Sequence, residues 1–338
     1  MRKEASADLW KMLYNLADEL KELKPWEDLW DMDLIGIQEN GRDEPVFCSV
    51  IGKETREKGI ALYDGMGGLA SFQKTARAAS ASQIEYRISE QQALVCFWGS
   101  RIDVPEEQQK MIRNLEKKYH GKNNWPCFFS LLPRFAPCTP DETEVRLLVE
   151  TFVQLVEAVK ALREERVKVN FEEGEFCFRY FDLEQMNWMT APARLPYIEE
   201  KYETVEVTDE TLLQHLAQQP DNGMTLLVDT AYLHGAMKDE QYDRPVDPLL
   251  LLAADGDSGQ FVNGQALSPE EEEGMAAVDF LIRFIESKGK PEKVMARNPY
   301  ILQALEQFCG VLEITLQEAP LTEMDSIIEN MRKQADQL

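Results

Sequence analysis

Two polar residues in or directly after apolar runs occupy positions where a metal-dependent enzyme would place carboxylates. Asp229 stands within the run LLVDTAYL, and Asn298 follows the run VMAR and precedes Pro299. Enzymes that cut phosphodiesters gather carboxylates at strand ends, where two metal ions hold the attacking and leaving oxygens. An asparagine is neutral and is a poorer ligand for a hard cation. The pattern predicts either a metal site that lacks one carboxylate or a capped helix, because Asn-Pro is also a favoured helix start.

Three further acids could join Asp229 in a hydrolase, namely Asp255, Asp257 and Glu306. The two aspartates have the alternate spacing that opens a calcium loop, but two later positions of that loop pattern are not met. A hairpin turn explains the same DGDSG stretch, because Asp and Gly accept turn geometry. These four acids are the candidate catalytic residues of a hydrolase of nucleic acid or nucleotides. Our preferred interpretation is a non-catalytic protein with no resident metal and no cofactor.

A glycine-rich turn is a candidate binding site. Gly65, Gly67 and Gly68 lie in YDGMGGL, between a predicted strand and a predicted helix. Backbone amides at such a helix start can hold a phosphate. The Lys-Ser/Thr of a P-loop and the spaced glycines of a dinucleotide site are both absent, and a tight turn into the helix is the alternative interpretation.

Three tryptophans are candidate binding residues of another kind. Trp26 and Trp30 bracket the stretch WEDLW, and Trp125 stands in NNWPCFF. Large aromatic side chains are most often buried in the core. A tryptophan that is exposed instead is well suited to the centre of a protein–protein interface.

The charge of the chain limits its partners. Among 338 residues, 61 acidic and 36 basic side chains give a formal net charge of −25. Duplex nucleic acid binds mainly through Lys and Arg, so it is not an expected partner. An acidic surface is suited to a basic partner, and we expect that partner to be another protein.

The location of the protein and the redox state of its cysteines are predicted from motifs that the sequence lacks. No apolar run approaches the ~20 residues of a membrane helix, and the N-terminus lacks the apolar segment of a secretory signal. We therefore expect a cytoplasmic protein that does not bind membranes. The six cysteines form no CxxC pair, which predicts free thiols rather than disulfides or a zinc site.

Breaker residues divide the chain into two predicted domains of α/β (α+β) class. We predict an N-terminal α+β domain over 1–187, an irregular linker over 188–203 and a C-terminal α/β domain over 204–338. Apolar residues at helical spacing predict a first helix that ends before Pro25. Short apolar runs bounded by Gly, Asn and Asp then predict a meander of strands.

Some local features are also predicted. Thr139, with Glu142 three residues later, predicts the start of a long helix through a capping box. Ser268, with a proline directly after it, predicts the start of a helix in the second domain. The stretch 123–140 is rich in proline and aromatic residues, and we predict that it is an apolar loop.

The element order predicted for the second domain is β-β-β-α-β-α-β, and it resembles the ribonuclease-H-like fold of nucleases and integrases. The resemblance implies carboxylates at the strand ends. With Asn298 at one of these positions, it implies a core that has lost its activity.

Longer stretches resemble two uncharacterised bacterial families of domains of unknown function that are often joined in one chain. The first resemblance is carried by KPWEDLW, VFCSVIG, GIALYDGMGG and NNWPCFF, and the second by LLVDTAYL, DPLLLLAADGDSG and VMARNPYILQALEQF. Together they cover nearly the whole chain. These families imply no catalytic residues, so function is predicted from the residues alone: protein binding or scaffolding, with metal-dependent hydrolysis and phosphate sensing as the alternatives.

Overall fold

A computed structural model describes residues 2–335, and its contacts divide the chain into two compact units. The first unit comprises the residues up to Pro133 and Pro137–Glu199, and the second comprises Arg134–Ala136 and the residues from Glu200 onward. Helices and two mixed sheets make the chain an α/β protein, as predicted. Within residues 2–335, no helix is both long enough and apolar enough to cross a bilayer.

The first unit contains an eight-stranded sheet of order β6-β5-β4-β3-β2-β1-β7-β8, apart from the first two residues of β6, which are grouped with the second unit. The strands are β1 (Ile35–Gln38), β2 (Val46–Ile51), β3 (Gly59–Asp64), β4 (Ala93–Gly99), β5 (Trp125–Leu132), β6 (Phe135–Cys138), β7 (Glu175–Asp182) and β8 (Asn187–Arg194). The helices are α1 (Ala7–Leu23), α2 (Gly65–Ala76), α3 (Ala81–Ser89), α4 (Glu106–Asn114) and α5 (Glu142–Arg163). β1 and β7 are parallel, whereas β1 to β5 form an antiparallel meander.

Apolar side chains cover both faces of this sheet. The amphipathic helices α1 and α5 contribute Leu13 and Phe152 to the larger cluster of buried residues, which also contains Val50 of β2. On the other side, Leu69 and Phe72 of α2 pack with residues of β2 and β3. Burial of such side chains is the main stabilising contribution to a fold of this size.

The second unit is built on a five-stranded sheet of order β11-β10-β9-β12-β13. Its strands are β9 (Thr225–Tyr232), β10 (Leu249–Asp255), β11 (Phe261–Leu267), β12 (Lys293–Ala296) and β13 (Thr315–Glu318). Its helices are α6 (Glu210–Ala217), α7 (Glu273–Lys288), α8 (Pro299–Val311) and α9 (Thr322–Ala335). β9, β10 and β11 are antiparallel neighbours, while β12 runs parallel to both β9 and β13. The predicted order β-β-β-α-β-α-β is therefore present from β9 to β13.

The two predicted helix starts are wrong by a few residues. α5 is capped by Asp141, whose carboxylate accepts from the amides of Thr143 and Glu144, and not by Thr139. A carboxylate that receives two amide bonds at the positive helix end is a stronger cap than the upstream hydroxyl. Ser268 begins a separate turn, closed by the bond from Glu271 N to its carbonyl, and α7 starts only at Glu273.

Two stretches predicted to be irregular contain strands. The stretch 123–140 forms the paired strands β5 and β6 instead of an apolar loop, because its aromatic residues are suited to a pleated, half-buried surface. The predicted linker 188–203 begins within β8. Pro192 is tolerated there because β8 is an edge strand of the sheet, where a missing amide breaks no ladder.

Candidate functional site

The parallel strands β9 and β12 bring the two residues of the opening pattern to the same end of the five-stranded sheet. Val228 pairs with Ala296. Continuing along both segments in the same direction, position 229 therefore lies beside 297, and position 230 lies beside 298. Successive side chains of a strand point to opposite faces. Asp229 and Asn298 are thereby separated onto the two faces of the sheet.

On one face, Thr230, Glu273 and Asn298 form a buried group that we call the strand-end cluster. The amide nitrogen of Asn298 donates to Thr230 Oγ1 at 2.7 Å and to Glu273 Oε2 at 2.9 Å. The hydroxyl of Thr230 donates to the same Glu273 oxygen at 2.8 Å. The amide oxygen of Asn298 accepts from Tyr300 N at 2.9 Å and caps α8. Asn298 is thus a helix cap and a donor in the cluster at the same time.

The charge of the strand-end cluster is compensated within the second unit. Arg134, which groups with that unit, approaches Glu273 Oε1 at 3.3 Å. Glu273 is the single carboxylate of the cluster, and its other oxygen receives the two bonds from Thr230 and Asn298. Mg²⁺ and Ca²⁺ require six or more oxygen ligands, which protein groups and ordered waters supply together. Among residues 2–335, no three His, Cys, Asp or Glu side chains lie close enough together to hold a metal ion.

On the opposite face, Asp229 belongs to a different group. It is 1% exposed and accepts from Arg297 Nε and Nη2, each at 2.7 Å. Arg297 also donates through Nη1 to Asp325 Oδ1 of α9 at 2.6 Å. Burial raises the pKa of Asp229 to about 6, although the charge and the bonds of Arg297 act to lower it. Asp229 is therefore an ion-paired residue beneath α9.

The other three candidate acids do not converge on Asp229. Asp255 is paired with Leu226, so it lies three residues from the level of Asp229, about 10 Å away along the strands. It holds a turn, because its carboxylate accepts from Asp257 N at 2.9 Å and from the Ser258 hydroxyl at 2.8 Å. Those bonds lower the pKa of Asp255.

Glu306 lies on a helix. It is exposed on α8 and accepts from Gln303 Nε2 at 2.8 Å. Within residues 2–335, Asp229, Asp255, Asp257 and Glu306 do not form a group of three or more side chains that could hold a metal ion, as a metal-dependent hydrolase would require.

The glycine-rich turn has a carboxylate at its helix start. Glu44 Oε2 accepts from Met66 N at 2.8 Å. Gly65 has φ +65°, and a Cβ there would lie 2.4 Å from the same carboxylate oxygen. A Cβ at Gly68 would lie 2.6 Å from the carbonyl carbon of Tyr63, whereas Gly67 faces open space. Conformation and close packing thus account for Gly65 and Gly68, and a phosphate-binding role of this turn stays a prediction.

The three tryptophans have different environments. Trp26 is buried, with its ring 5.2 Å from that of Trp98. Trp125 is half-buried and packs against the larger apolar cluster, 5.8 Å from the ring of Tyr119. Trp30 is 44% exposed. Of the three, Trp30 presents the most surface to a partner.

Sequence reasoning missed the partners of Asp229 and Asn298. Arg297 precedes Asn298 directly, and Thr230 follows Asp229 directly, so each pair was adjacent in the sequence. The alternation of side chains along a strand is the signal that could have placed them on opposite faces. Glu273 was hidden in a run of four glutamates, of which it alone is buried.

Comparison with known proteins identifies families and gives no activity. A family model described as "Domain of unknown function (DUF7309)" matches residues 10–179. A second, described as "Domain of unknown function (DUF6930)", matches residues 212–332. No curated protein matches the chain.

Some solved viral structures are similar to about a third of the chain. One is a simian T-cell lymphotropic virus intasome in complex with PP2A regulatory subunit B56 gamma, with 12% identity and a TM-score of 0.25 over 36% of this chain. The chain spans 44% of the length of that protein. Another is the HTLV-2 integrase catalytic core domain in complex with magnesium, in its trimeric form. It shows 15% identity and a TM-score of 0.24 over 35% of this chain and 85% of that one.

Proposed function

We propose that this chain, which belongs to the DUF7309 family, is a non-catalytic protein-binding or scaffolding protein of the bacterial cytoplasm. We further infer that the strand order of its second unit is ribonuclease-H-like and that this unit is inactive. Its partner is another protein rather than duplex nucleic acid, since the net charge of −25 repels phosphates.

One observation carries the proposal: the strand-end cluster is closed on itself. At the place where the two parallel strands end, a threonine, an amide and one carboxylate bond to one another. An aspartate in place of Asn298 would lose both amide donors and stand beside the Glu273 carboxylate. Two carboxylates so close are stable only if a proton or a cation lies between them. The residues present are therefore suited to packing and capping rather than to metal-dependent hydrolysis.

Metal-dependent hydrolysis is the second candidate, and Glu273 is the observation that favours it. Its carboxylate is buried at the carboxyl ends of β9 and β12, which is where α/β sheets place their active sites. In this alternative, Glu273 and the oxygens of Thr230 and Asn298 would hold part of the coordination shell, and waters would supply the remainder.

The two candidates differ in a direct experiment on the full chain. Mn²⁺ and Mg²⁺ are titrated into the protein by calorimetry, and cleavage of labelled single-stranded DNA, RNA and a chromogenic phosphodiester is followed. We expect neither saturable binding at the strand-end cluster nor cleavage. Cleavage that is lost in Glu273→Gln but kept in the matched surface variant Glu306→Gln would establish the hydrolase instead.

A second experiment tests protein binding. The tagged full chain is expressed in its native cell, co-purifying proteins are identified, and the most abundant of them is purified and mixed with the chain. We expect a complex of fixed stoichiometry on a sizing column. If no purified candidate forms such a complex, the scaffolding proposal is wrong.

A further inference from the structure

The loop 28–33, which we call the Trp30 loop, presents two large apolar side chains to solvent. Trp30 is 44% exposed and Met32 is 56% exposed, while Leu29 and Leu34 on either side are buried. Exposed tryptophan and methionine are enriched at protein–protein interfaces. Both stand on one short loop, whereas single apolar residues scattered over a surface are common and need no explanation.

The Trp30 loop is held in place without a partner. Trp30 N donates to Asp33 Oδ2 at 2.8 Å, and Asp33 N donates back to Trp30 O at 3.0 Å. The hydroxyl of the buried Ser49 donates to the carbonyl of Asp31 at 2.6 Å. Arg163 Nε donates to Asp28 Oδ2 at 2.9 Å. Because the loop is already ordered, binding would cost little conformational entropy.

The indole ring of Trp30 already contacts a cation. Lys53 Nζ lies 4.8 Å from the ring centroid and donates to the Asp28 carbonyl at 2.9 Å. The face of an indole attracts cations through its quadrupole. The lysine contact therefore orients the ring and shows that its face accepts a cation.

Carboxylates surround the two apolar side chains. Glu27, Asp28 and Asp31 are exposed. Burial raises the pKa of Asp33, the amide of Trp30 and the charge of Lys53 act to lower it, and the carboxylates of Asp31 and Glu172 act to raise it. Lys24 and Arg163 pair with Glu27 and Asp28, and Lys53 offsets one further charge. The carboxylates of Asp31, Asp33 and Glu172 still leave an excess of negative charge around Trp30 and Met32, and a positively charged partner would complement it.

We propose that the Trp30 loop is a docking site for a segment of a partner protein that is rich in arginine and carries apolar side chains between its charges. This inference rests on the proposed protein-binding function and names its partner class. Arginine would stack on Trp30 and bond to Asp31, and an apolar side chain would pack against Met32. Both kinds of contact are required, because charge alone would not distinguish this loop from other acidic surfaces of the chain.

The test uses the full chain and three labelled peptides of equal length: alternating arginine and leucine, arginine alone, and alternating glutamate and leucine. Fluorescence anisotropy at physiological ionic strength gives each Kd. We expect the arginine–leucine peptide to bind most tightly and the glutamate peptide not to bind. The double variant Trp30→Ala, Met32→Ala should weaken the arginine–leucine complex by roughly tenfold or more, as for a central interface pair.

The apolar variants have matched controls in the same unit. Tyr197 is 75% exposed and carries Arg77 at 4.4 Å over its ring, so Tyr197→Ala removes an exposed, cation-stacked aromatic residue elsewhere. Met12 is 51% exposed on α1, and Met12→Ala is the control for the methionine. In the double control variant Met12→Ala, Tyr197→Ala, the Kd of the arginine–leucine peptide should change less than about twofold, within the ±0.5 kcal/mol expected of ordinary surface substitutions. Equal weakening in the double variant and the double control would overturn the proposal.

The charge contribution is tested in the same way. Asp31→Asn should weaken binding of both arginine peptides by a few-fold, whereas Asp43→Asn, which changes an exposed aspartate outside the loop, should not. An arginine–leucine peptide that fails to bind, or that binds the double variant as tightly as the wild type, refutes the docking site. Either result leaves the proposed function standing if the purified partner still forms its complex. If the full chain binds the arginine–leucine peptide but forms no complex with any purified candidate partner, the proposed protein-binding function is refuted instead.

Discussion

The two faces of the five-stranded sheet hold polar groups at the same end of β9 and β12 by different means. On one face, a neutral amide and a hydroxyl bond to the single carboxylate of the strand-end cluster. On the other, the Asp229 carboxylate is paired with the Arg297 guanidinium under α9. The adjacent residues Thr230 and Asp229 are thus buried in different ways: Thr230 hydrogen-bonds to a carboxylate that is paired with Arg134, and Asp229 is itself paired with Arg297. The comparison shows that the acid in the sequence pattern and the asparagine in the same pattern belong to separate groups.

The ion-paired face should be the more sensitive of the two to loss of one partner. Replacing Arg297 by Ala leaves the Asp229 carboxylate buried without its cation, which costs about 3–5 kcal/mol in other buried pairs. We expect a loss of this size in the free energy of unfolding at neutral pH, measured by urea denaturation. The loss should be smaller in acid, where Asp229 binds a proton.

The exposed Arg283, which bonds to Gln265 at the surface, provides the control. Arg283→Ala should change the unfolding free energy by less than about 1 kcal/mol, because solvent-exposed polar contacts contribute little. Similar losses in both variants would mean that the pair beneath α9 has no special weight.

The face that holds the strand-end cluster should respond to the introduction of a second carboxylate. Asn298→Asp keeps the oxygen that caps α8 but removes both donors to the strand-end cluster and places a second carboxylate beside Glu273. Loss of buried hydrogen-bond partners costs about 1–3 kcal/mol, and the like charges add to it. We expect a total of about 2–4 kcal/mol in urea denaturation. Restored stability on addition of Mg²⁺ or Mn²⁺ would show that one substitution rebuilds a metal site.

The same change on the exposed β11 residue Asn263 is the control for that variant. Asn263→Asp should shift the unfolding free energy by less than about 0.5 kcal/mol, as for most surface substitutions. If Asn298→Asp is equally mild, the strand-end cluster is open to solvent and the argument for a closed site fails.

How far these features follow from the sequence depends on the range of the interactions. Asn-Pro predicted the cap of α8 correctly, because a cap is set by neighbours within one turn. The β-β-β-α-β-α-β order followed from apolar runs and breakers. The placement of Asp229 and Asn298 on opposite faces of the sheet did not follow from the sequence. It depends on the pairing of Val228 with Ala296, which lie far apart in the chain.

Glu273 illustrates the same limit within one segment. Four consecutive glutamates follow the predicted helix start at Ser268, and nothing in the sequence distinguished them from one another. The helix begins only at Glu273, so this residue alone is directed into the core. A shift of a few residues in a helix boundary is within the ordinary error of local signals, yet here it decides which acid belongs to the cluster.

The pH dependence of stability should distinguish the faces by a smaller amount. Because the pKa of Asp229 is raised from 3.8 to about 6, the folded state binds its proton more tightly than the unfolded state does. Protonation of Asp229 therefore stabilises the folded state below about pH 4, and this stabilisation is lost as the pH rises through about 6. A shift of this size corresponds to about 2–3 kcal/mol.

The measurement is the unfolding free energy of the wild type minus that of Asp229→Asn across this window. The asparagine cannot titrate, so the difference should fall by about 2 kcal/mol between the two limits. A difference that rises with pH instead would mean that Arg297 outweighs burial and lowers the pKa of Asp229.

The smallest effect is expected at the outer member of the ion-paired group. Asp325 is 52% exposed, so water already solvates its carboxylate, and its bond to Arg297 should contribute about 1 kcal/mol or less. Asp325→Asn should accordingly change the unfolding free energy by far less than Arg297→Ala, although both changes break a contact of the same guanidinium. A loss at Asp325 as large as the loss at Arg297 would mean that the attachment of α9, rather than the compensation of a buried charge, determines the stability of this face.

Hydrogen exchange of the α9 amides measures that attachment separately. We expect the exchange rate to increase only slightly in Asp325→Asn, because apolar contacts of Leu321, Met324 and Ile328 still hold the helix to the sheet.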